Sequence, residues 1–293
     1  MSSASERAGL VAAAALLLAG GAVGMSRLRD HLPGRVTALR VCADPNNMPF
    51  SDSAQHGFEN RIASLIAADL HVPLEYDWRP QRRGWVRNTL KQGTCDVVMG
   101  VPRAYGMIMP TASYYQSTYV FVTRADRHLG ITSFDDATLR HLKIGVHLMG
   151  DDYANSPAAV ALGRRGLRGN LVGYMIYGDY SSDSPPSRLL DAVAQGAVDV
   201  AIVWGPLAGY YAKHSRVPLT VTPVSPRIDV PFMPFVYEIS MGVRHGDSTR
   251  RAVLDTEIVR RRADIDTILD RYGIPRVGAR PAGAPGADGG GGH

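Results

Sequence analysis

Short apolar segments alternate with amphipathic ones along the first third of the chain. Residues 39–44 and 95–101 are almost continuously apolar, and residues 74–78 alternate between apolar and polar positions, which predicts three β-strands. Residues 61–70 place their apolar side chains on one face at helical spacing. This order of strand, helix and strand indicates βαβ units with a parallel sheet.

The same alternation returns after the apolar segment at residues 117–124. The pattern predicts a strand at residues 143–148, helices over residues 156–166 and 187–196, and a strand at residues 198–204. The last of these is so continuously apolar that we expect it to be buried on both faces of a parallel sheet. Two α/β lobes of similar size are therefore predicted.

The final patterned segment, residues 238–273, is predicted to be a strand followed by a helix. Asp247 or Ser248 can cap the start of this helix, and Gly273 is suited to end it. The apolar stripe of the helix consists of Leu254, Ile258, Ile265 and Leu269.

Both ends of the chain lack the pattern of a packed domain. Residues 1–24 follow the plan of a secretory signal peptide, since Arg7 precedes an uncharged apolar stretch that ends in small residues. We expect export to the periplasm, with an uncleaved N-terminal anchor as the alternative because Glu6 weakens the positive region. Residues 25–37 are predicted to be a connector, and residues 278–293 a disordered Gly/Ala/Pro tail.

Composition and charge limit the functional classes. A chain of 293 residues with 45% hydrophobic content can bury a substantial core, as one large domain or two lobes. Its net charge of +5 comes mainly from arginines that are spread along the chain, which does not favour a nucleic-acid-binding face. Because motifs for a serine nucleophile, a phosphate loop, a zinc site or an acid–base pair are missing, we expect no catalysis, metal or cofactor.

The two cysteines, Cys42 and Cys95, suit a disulfide in an exported protein better than a metal site. No cluster of His or Cys at ligand spacing accompanies either of them. Two separate buried thiols are the alternative.

Six segments, in order, resemble the family 3 extracellular solute-binding proteins, which have the type II periplasmic binding fold and serve ABC importers. These segments are residues 39–51, 57–70, 90–100, 112–124, 189–203 and 253–273. A narrower resemblance is to the J-type accessory proteins associated with quinoprotein (methanol) dehydrogenases. It rests on "CADPNNMPFS" (42–51), "CDVVMGVPRAYGM" (95–107) and "YYQSTYVFV" (114–122).

The resemblance implies a two-lobe α/β fold with mixed, mostly parallel sheets and a two-strand hinge. Lobe one would comprise residues 38–125 and 232–277, and lobe two residues 126–231. A ligand would lie between the lobes, at the carboxyl ends of strands. The family also places the strands of Cys42 and Cys95 side by side, which makes a bridge between them geometrically reasonable.

Two charged positions with which this family holds amino acids are replaced here. Where the family has its arginine clamp, this chain has Met107 and Ile108, and Arg103 comes too early, in a differently shaped loop. Where the family has an aspartate for the ligand ammonium, this chain has Trp204, whose indole can attract a cation only through its π face. We therefore do not expect a free amino acid as the ligand.

The candidate cleft residues combine aromatic rings with a few polar groups. They are Asp44, Asn46, Asn47, Phe50, Arg103, Tyr105, Tyr114, Tyr115, Asp151 and Trp204. Such a set suits a planar organic ligand, a peptide or a protein loop. Structural roles are the alternatives: the aspartate and asparagines after the first strand can shape a turn, Phe50 and Tyr115 can belong to the core, and Asp151 can cap the next segment.

Two functions follow from the resemblance and the lost clamp. The first is a periplasmic accessory protein that binds and assists an alcohol (methanol) dehydrogenase dependent on pyrroloquinoline quinone. The alternative is the substrate-binding component of an ABC importer for a small organic solute other than a typical amino acid. A receptor needs polar groups that converge on a closing cleft, whereas a partner protein can keep an open, largely apolar groove.

Overall fold

The computed structural model describes residues 36–149, 154–176 and 184–278. The predicted signal peptide, the connector up to residue 35 and the tail beyond residue 278 lie outside the described residues, as does Asp151.

Strands and helices alternate along the described chain. The strands are β1 (Leu39–Ala43), β2 (Asn46–Asn47), β3 (Ser51–Asp52), β4 (Leu74–Trp78), β5 (Val97–Pro102), β6 (Met109–Arg124), β7 (Ile144–Met149), β8 (Ala154–Asn155), β9 (Leu171–Met175), β10 (Val200–Trp204), β11 (Leu219–Pro223), β12 (Ile228–Asp229), β13 (Met233–Pro234) and β14 (Val236–Val243). The α-helices are α1 (Phe58–Asp69), α2 (Trp85–Asn88), α3 (Pro157–Arg164), α4 (Arg188–Ala194), α5 (Gly205–His214), α6 (Ser248–Arg260) and α7 (Arg262–Arg271). Short 3₁₀ helices occupy Leu90–Gln92, Ala125–Arg127, Ala137–His141, Arg168–Asn170 and Pro185–Ser187.

The first part of the main sheet is centred on β1. This strand pairs in parallel with β4 and β5, so that Val41 lies opposite Tyr76 and Val97. Helix α1 covers the strands with one apolar face, on which Phe58 and Ile66 are fully buried. Burial of each such side chain stabilises the fold by roughly 1.5–3 kcal/mol relative to exposure. The predicted βαβ arrangement is confirmed here.

Strand β6 runs through both parts of the ten-stranded sheet. Its residues from Met109 to Thr118 pair antiparallel with β14, and those from Tyr119 to Arg124 pair with β10 on one side and β11 on the other. Beyond β10 the order continues with β7 and β9, all three parallel. The α/β class with mixed sheets is confirmed, and the exact lobe boundaries stay a prediction.

The prediction of one helix after β14 is wrong. Asp247 caps α6 as expected, accepting a hydrogen bond from the Arg250 amide at 3.1 Å, but α6 ends at Arg260 and α7 begins at Arg262. The intervening Arg261 pairs with Asp69 at the end of α1. No glycine or proline lies between Asp247 and Tyr272, so the local sequence does not mark this break.

Cys42, in β1, and Cys95, directly before β5, form a disulfide with their Cα atoms 5.4 Å apart. Of the two alternatives, the structure has the bridge. The bridge lies in an apolar cluster that includes Trp85, Leu90 and Ile108.

A buried aspartate follows this disulfide. Asp96 forms ion pairs with Arg40 at 2.7 Å, Arg244 at 2.6 Å and Arg250 at 2.9 Å. Burial would raise the pKa of Asp96, but hydrogen bonds from Arg40 and Arg244 and the charge of Arg250 hold it below its ordinary value. Since Arg244 also donates to the Cys95 carbonyl at 2.5 Å, the network fixes the start of β5.

Candidate functional site

The turn after β1 is organised by Asp44, which is only 2% exposed. Its carboxylate accepts hydrogen bonds from two backbone amides, those of Asn46 at 2.9 Å and Gln81 at 2.7 Å. Its backbone carbonyl accepts a third from the Ser51 hydroxyl at 2.7 Å. Asp44 thus has the turn-shaping role that was the alternative to ligand binding, because both of its carboxylate oxygens accept hydrogen bonds from backbone amides.

The neighbouring asparagines form the short ribbon of β2 and β3. Asn46 lies opposite Asp52, and the Asn47 side-chain amide donates to the Gln81 side chain at 2.9 Å. The Asn47 side-chain oxygen is buried and has no hydrogen-bond partner within the described residues. This oxygen is therefore the candidate polar group that a ligand or water would satisfy.

Three of the candidate aromatic rings lie in the core. Phe50 packs against Phe58 with ring centroids 5.4 Å apart, and Tyr115 packs edge-on against the same ring. Tyr114 is fully buried, and its hydroxyl accepts a hydrogen bond from the Gly100 amide at 3.0 Å. These three rings support the loops of the candidate site from beneath, and their burial limits what a ligand could reach.

Trp204 belongs to an aromatic cluster that spans three strands. Its ring centroid lies 5.6 Å from that of Tyr119 on β6 and 5.8 Å from that of Tyr237 on β14. We call Tyr119, Trp204 and Tyr237 the aromatic cluster. Trp204 stands where we expect an amino-acid-binding protein of this fold to carry a carboxylate. In this chain that position makes tilted and edge-on aromatic contacts.

Arg103 and Tyr105 line an open groove of about 630 Å³ beside Tyr237. The other lining residues are Pro102, Ala104, Pro234, Val236 and Glu238, and we call this surface the aromatic groove. The Arg103 guanidinium forms an ion pair with Glu238 at 3.3 Å, and both side chains are about half exposed. Arg103 therefore faces a carboxylate of its own chain.

The two groups of candidate residues are held in different places. Asp44 and its neighbours contact α5, since the Tyr211 hydroxyl donates to the Met48 carbonyl at 3.1 Å and lies 2.6 Å from the Ser184 hydroxyl. Burial raises the pKa of Tyr211 to about 12, so this hydroxyl stays protonated. Arg103 and Tyr105 instead line the aromatic groove together with Tyr237 of the aromatic cluster.

The Tyr211 hydroxyl links segments assigned to different predicted lobes, so we expect Tyr211→Phe to weaken the fold. The lost hydrogen bonds should lower the free energy of unfolding by about 1–2 kcal/mol, measured by urea denaturation. Tyr210→Phe is the matched control, because no hydrogen bond of the Tyr210 hydroxyl is found within the described residues. Equal stability of the two variants would show that the link is energetically silent.

The sequence did not identify several residues of these surfaces. Gln81 lies 37 residues from Asp44, and Tyr237 and Glu238 lie more than 130 residues from Arg103, so no local pattern connects them. Nor does the sequence identify Ile228, Val230 and Phe232, which are three of the six large apolar side chains exposed in the described part of the chain. Only Arg227 to Val230 alternate between polar and apolar residues, which is too short a pattern to indicate which face meets solvent.

Neither a metal centre nor a spanning helix is found among the described residues. They contain no group of three or more His, Cys, Asp or Glu side chains that could hold a metal ion. None of the helices within them has the length and apolar character needed to cross a bilayer.

The chain is similar to proteins named MoxJ, XoxJ and MxaJ. It is 30% identical over 244 residues to the protein MoxJ of Methylorubrum extorquens, with 81% of each chain covered. The crystal structure of the periplasmic binding protein XoxJ from Methylobacterium extorquens AM1 has 35% identity and a TM-score of 0.67, covering 82% of this chain and all of that one. The crystal structure of MxaJ from Methlophaga aminisulfidivorans MPT has 27% identity and a TM-score of 0.71, with the same coverage.

No protein-family model matches the sequence. An ancestral cationic amino acid solute-binding protein shares the fold at 19% identity and a TM-score of 0.61. The predicted fold class is confirmed by these structures.

Proposed function

This chain belongs to the MoxJ family, which has the type II periplasmic binding fold, and from that premise we propose that it binds and assists a quinoprotein alcohol dehydrogenase in the periplasm. The enzyme would be of the class that uses pyrroloquinoline quinone, with methanol as the expected substrate class. The proposed role is binding without catalysis.

One observation carries this proposal: Met107 and Trp204 stand where an amino-acid receptor is expected to have its arginine and its carboxylate, and the nearby Arg103 is already paired within the chain. Arg103 faces Glu238, and Trp204 packs against Tyr119 and Tyr237. A carboxylate ligand would have to displace Glu238 from Arg103, and an ammonium ligand would find no carboxylate at Trp204. A small charged solute would therefore gain no extra contacts in a closed form over an open form, and nothing would drive the lobes to close around it.

The aromatic groove supports a protein partner instead. Its lining is mainly apolar, with the two half-exposed side chains of Arg103 and Glu238 at its edge. Recognition of proteins favours aromatic and arginine side chains at the centre of a contact. An open groove also needs no lobe closure before it binds.

The test is capture of a purified enzyme by the mature protein. We expect tagged protein, immobilised on a sensor, to bind purified quinoprotein alcohol dehydrogenase from the same periplasm, with saturation at micromolar concentration or below. Bait that has been heat-denatured is the control. A flat response up to tens of micromolar enzyme would contradict the proposal.

The importer alternative predicts a different result. A small solute that binds the native state would raise the melting temperature by mass action. Amino acids, sugars, polyamines and small organic acids should all leave the melting temperature unchanged if the proposal is right. A saturable rise with one of them, without enzyme binding, would favour the importer receptor.

A further inference from the structure

The strongest unexplained surface is the hairpin of β12 and β13, residues 227–235. Its outward face carries Ile228, Val230 and Phe232, which are 63%, 79% and 93% exposed. Its inward face carries Asp229, which is 3% exposed, and the hairpin is followed by the fully buried Phe235. A strand that packs one face on a core normally buries its apolar residues and exposes its polar ones. This hairpin has the reverse arrangement.

The hairpin is held in this orientation by a buried ion pair. The Arg165 guanidinium makes two hydrogen bonds to the Asp229 carboxylate, at 2.8 and 3.0 Å, and reaches Asp135 at 2.7 Å. Hydrogen bonds from Arg165, outweighing burial, lower the pKa of Asp229, so it stays ionised at neutral pH. Arg164 also donates to the backbone carbonyl of Val230. These contacts therefore hold the hairpin with its apolar side chains facing solvent.

The tip has a further unusual feature. Phe232 has a backbone φ of +138°, a region that favours glycine and costs a bulky residue conformational strain. Its amide still donates to the Asp229 carbonyl at 3.0 Å, closing the turn. A strained backbone that exposes a phenyl ring almost completely gives no benefit to the isolated fold.

The surroundings of the tip indicate what could cover it. Pro234, in β13, lines the aromatic groove, so the convex tip and the concave groove are continuous. Two exposed arginines flank the tip: Arg164, at the end of α3, donates to the Val230 carbonyl, and Arg227 lies at the base of the hairpin. The carboxylates of Asp229 and Asp135 are both engaged by Arg165, and Glu238 in the adjoining groove is paired with Arg103. An apolar knob within a basic rim complements an apolar pocket with an acidic rim.

We propose that Ile228, Val230 and Phe232, here called the hairpin knob, insert into an apolar pocket with an acidic rim on a folded protein partner. This inference rests on the proposed function, in which the partner is the quinoprotein dehydrogenase, and it names the docking element. Apolar anchors that fill a desolvated pocket dominate the affinity of protein interfaces.

A protein accounts for the surface better than a membrane does. A flat bilayer surface could contact the knob but not the adjoining concave groove, which a folded partner can fill. A second copy of this chain is also less suitable, because its own knob carries the same basic rim.

The knob is tested with Val230→Ser/Phe232→Gly, in which glycine suits the backbone at position 232. The matched control is Val259→Ser, which removes another apolar side chain, 70% exposed, from α6. Affinity for purified quinoprotein dehydrogenase is measured by biolayer interferometry at 150 mM salt. We expect the knob variant to bind at least tenfold more weakly than the unsubstituted protein, and Val259→Ser to bind within twofold of it. Unchanged melting temperatures would show that both variants fold.

The basic rim gives a second measurement. Arg227→Glu should weaken enzyme binding at least threefold, whereas Lys91→Glu, an equal charge change on an exposed residue of the Leu90–Gln92 segment, should not. Raising the salt concentration should reduce the effect of Arg227→Glu, because rim charges are screened.

The outcomes separate the two proposals. Enzyme binding by the knob variant within twofold of the unsubstituted protein would overturn the docking assignment and leave the proposed function standing. No enzyme binding by the unsubstituted protein would overturn both. Knob-dependent binding to phosphatidylcholine/phosphatidylglycerol vesicles, or a knob-dependent dimer in sedimentation, without enzyme binding would replace the docking assignment by a membrane or self-association role.

Discussion

Replacing Cys42 and Cys95 together by alanine is expected to lower the free energy of unfolding by about 4 kcal/mol. The bridge joins residues 53 positions apart, and closing a loop of that length in the unfolded chain removes roughly this amount of conformational free energy. Urea denaturation at pH 7 under non-reducing conditions measures the difference. The loss is large because a domain of this size is stable by only about 5–15 kcal/mol in total.

Reduction of the unsubstituted protein provides the control for this prediction. Treated with reductant, it should unfold at nearly the same urea concentration as the double alanine variant, because both lack the cross-link. Recovery of two free thiols from unreduced, denatured protein isolated from the periplasm would contradict the bridge itself. An unchanged unfolding midpoint in the variant would contradict its energetic role.

The disulfide has a functional consequence through β5. It anchors the residue before this strand to β1, and the Asp96 network holds the same point from the other side. The carboxyl end of β5 carries Pro102, Arg103 and Tyr105 into the aromatic groove. The disulfide and the Asp96 network thus hold the amino end of the strand whose carboxyl end lines the groove.

Elements that depend on local pattern could be predicted from the sequence. The strand at residues 74–78 was placed at its observed bounds, and Pro157 begins α3 with Ser156 as its cap, accepting from Ala159 at 3.4 Å. The strand ending at Trp204 is buried as its continuous apolar run indicated. In each case the residues within one turn or one strand determine the structure.

Features that depend on distant contacts could not be predicted. The break between α6 and α7 falls at Arg261, which pairs with Asp69, 192 positions away. The exposure of Phe232 depends on Arg165 holding Asp229 inward, across 64 positions. The candidate site shows the same limit, because Arg103 meets Glu238 through the antiparallel pairing of β5 with β14.

The substitutions at the candidate site fit together physically. Trp204 stands where the resemblance places a carboxylate, and its indole has aromatic neighbours in Tyr119 and Tyr237. Tyr237 in turn forms a wall of the aromatic groove, whose opposite side carries Arg103 and Tyr105. The aromatic cluster and the aromatic groove therefore share Tyr237.

A buried carboxyl beneath this surface controls the dependence of stability on pH. Glu59, in the first turn of α1, is 9% exposed, and one of its oxygens has no hydrogen-bond partner within the described residues. That oxygen lies against Gly100, where an added Cβ would come within 2.1 Å of it. Burial raises the pKa of Glu59 from an ordinary 4.5 to about 8, because the charged form loses its hydration.

The folded state therefore holds this proton more tightly than the unfolded state. The stabilisation is fully present below pH 4.5, decreases as the pH rises, and is lost by about pH 8. At 1.36 kcal/mol per pKa unit, the contribution across this window is roughly 4–5 kcal/mol. Above pH 8 the folded protein must carry a buried, unpaired carboxylate.

Glu59→Gln is consequently expected to stabilise the protein at pH 8 by about 4 kcal/mol and to leave its stability nearly unchanged at pH 4.5. The glutamine amide keeps the shape of the side chain but does not ionise in this pH range. Urea denaturation from pH 4.5 to 9 measures the difference between the variant and the unsubstituted protein. Glu75→Gln, at an exposed position of β4, should show no such pH-dependent difference. A Glu59→Gln difference that stays constant across this range would show that the carboxyl finds a partner when it ionises.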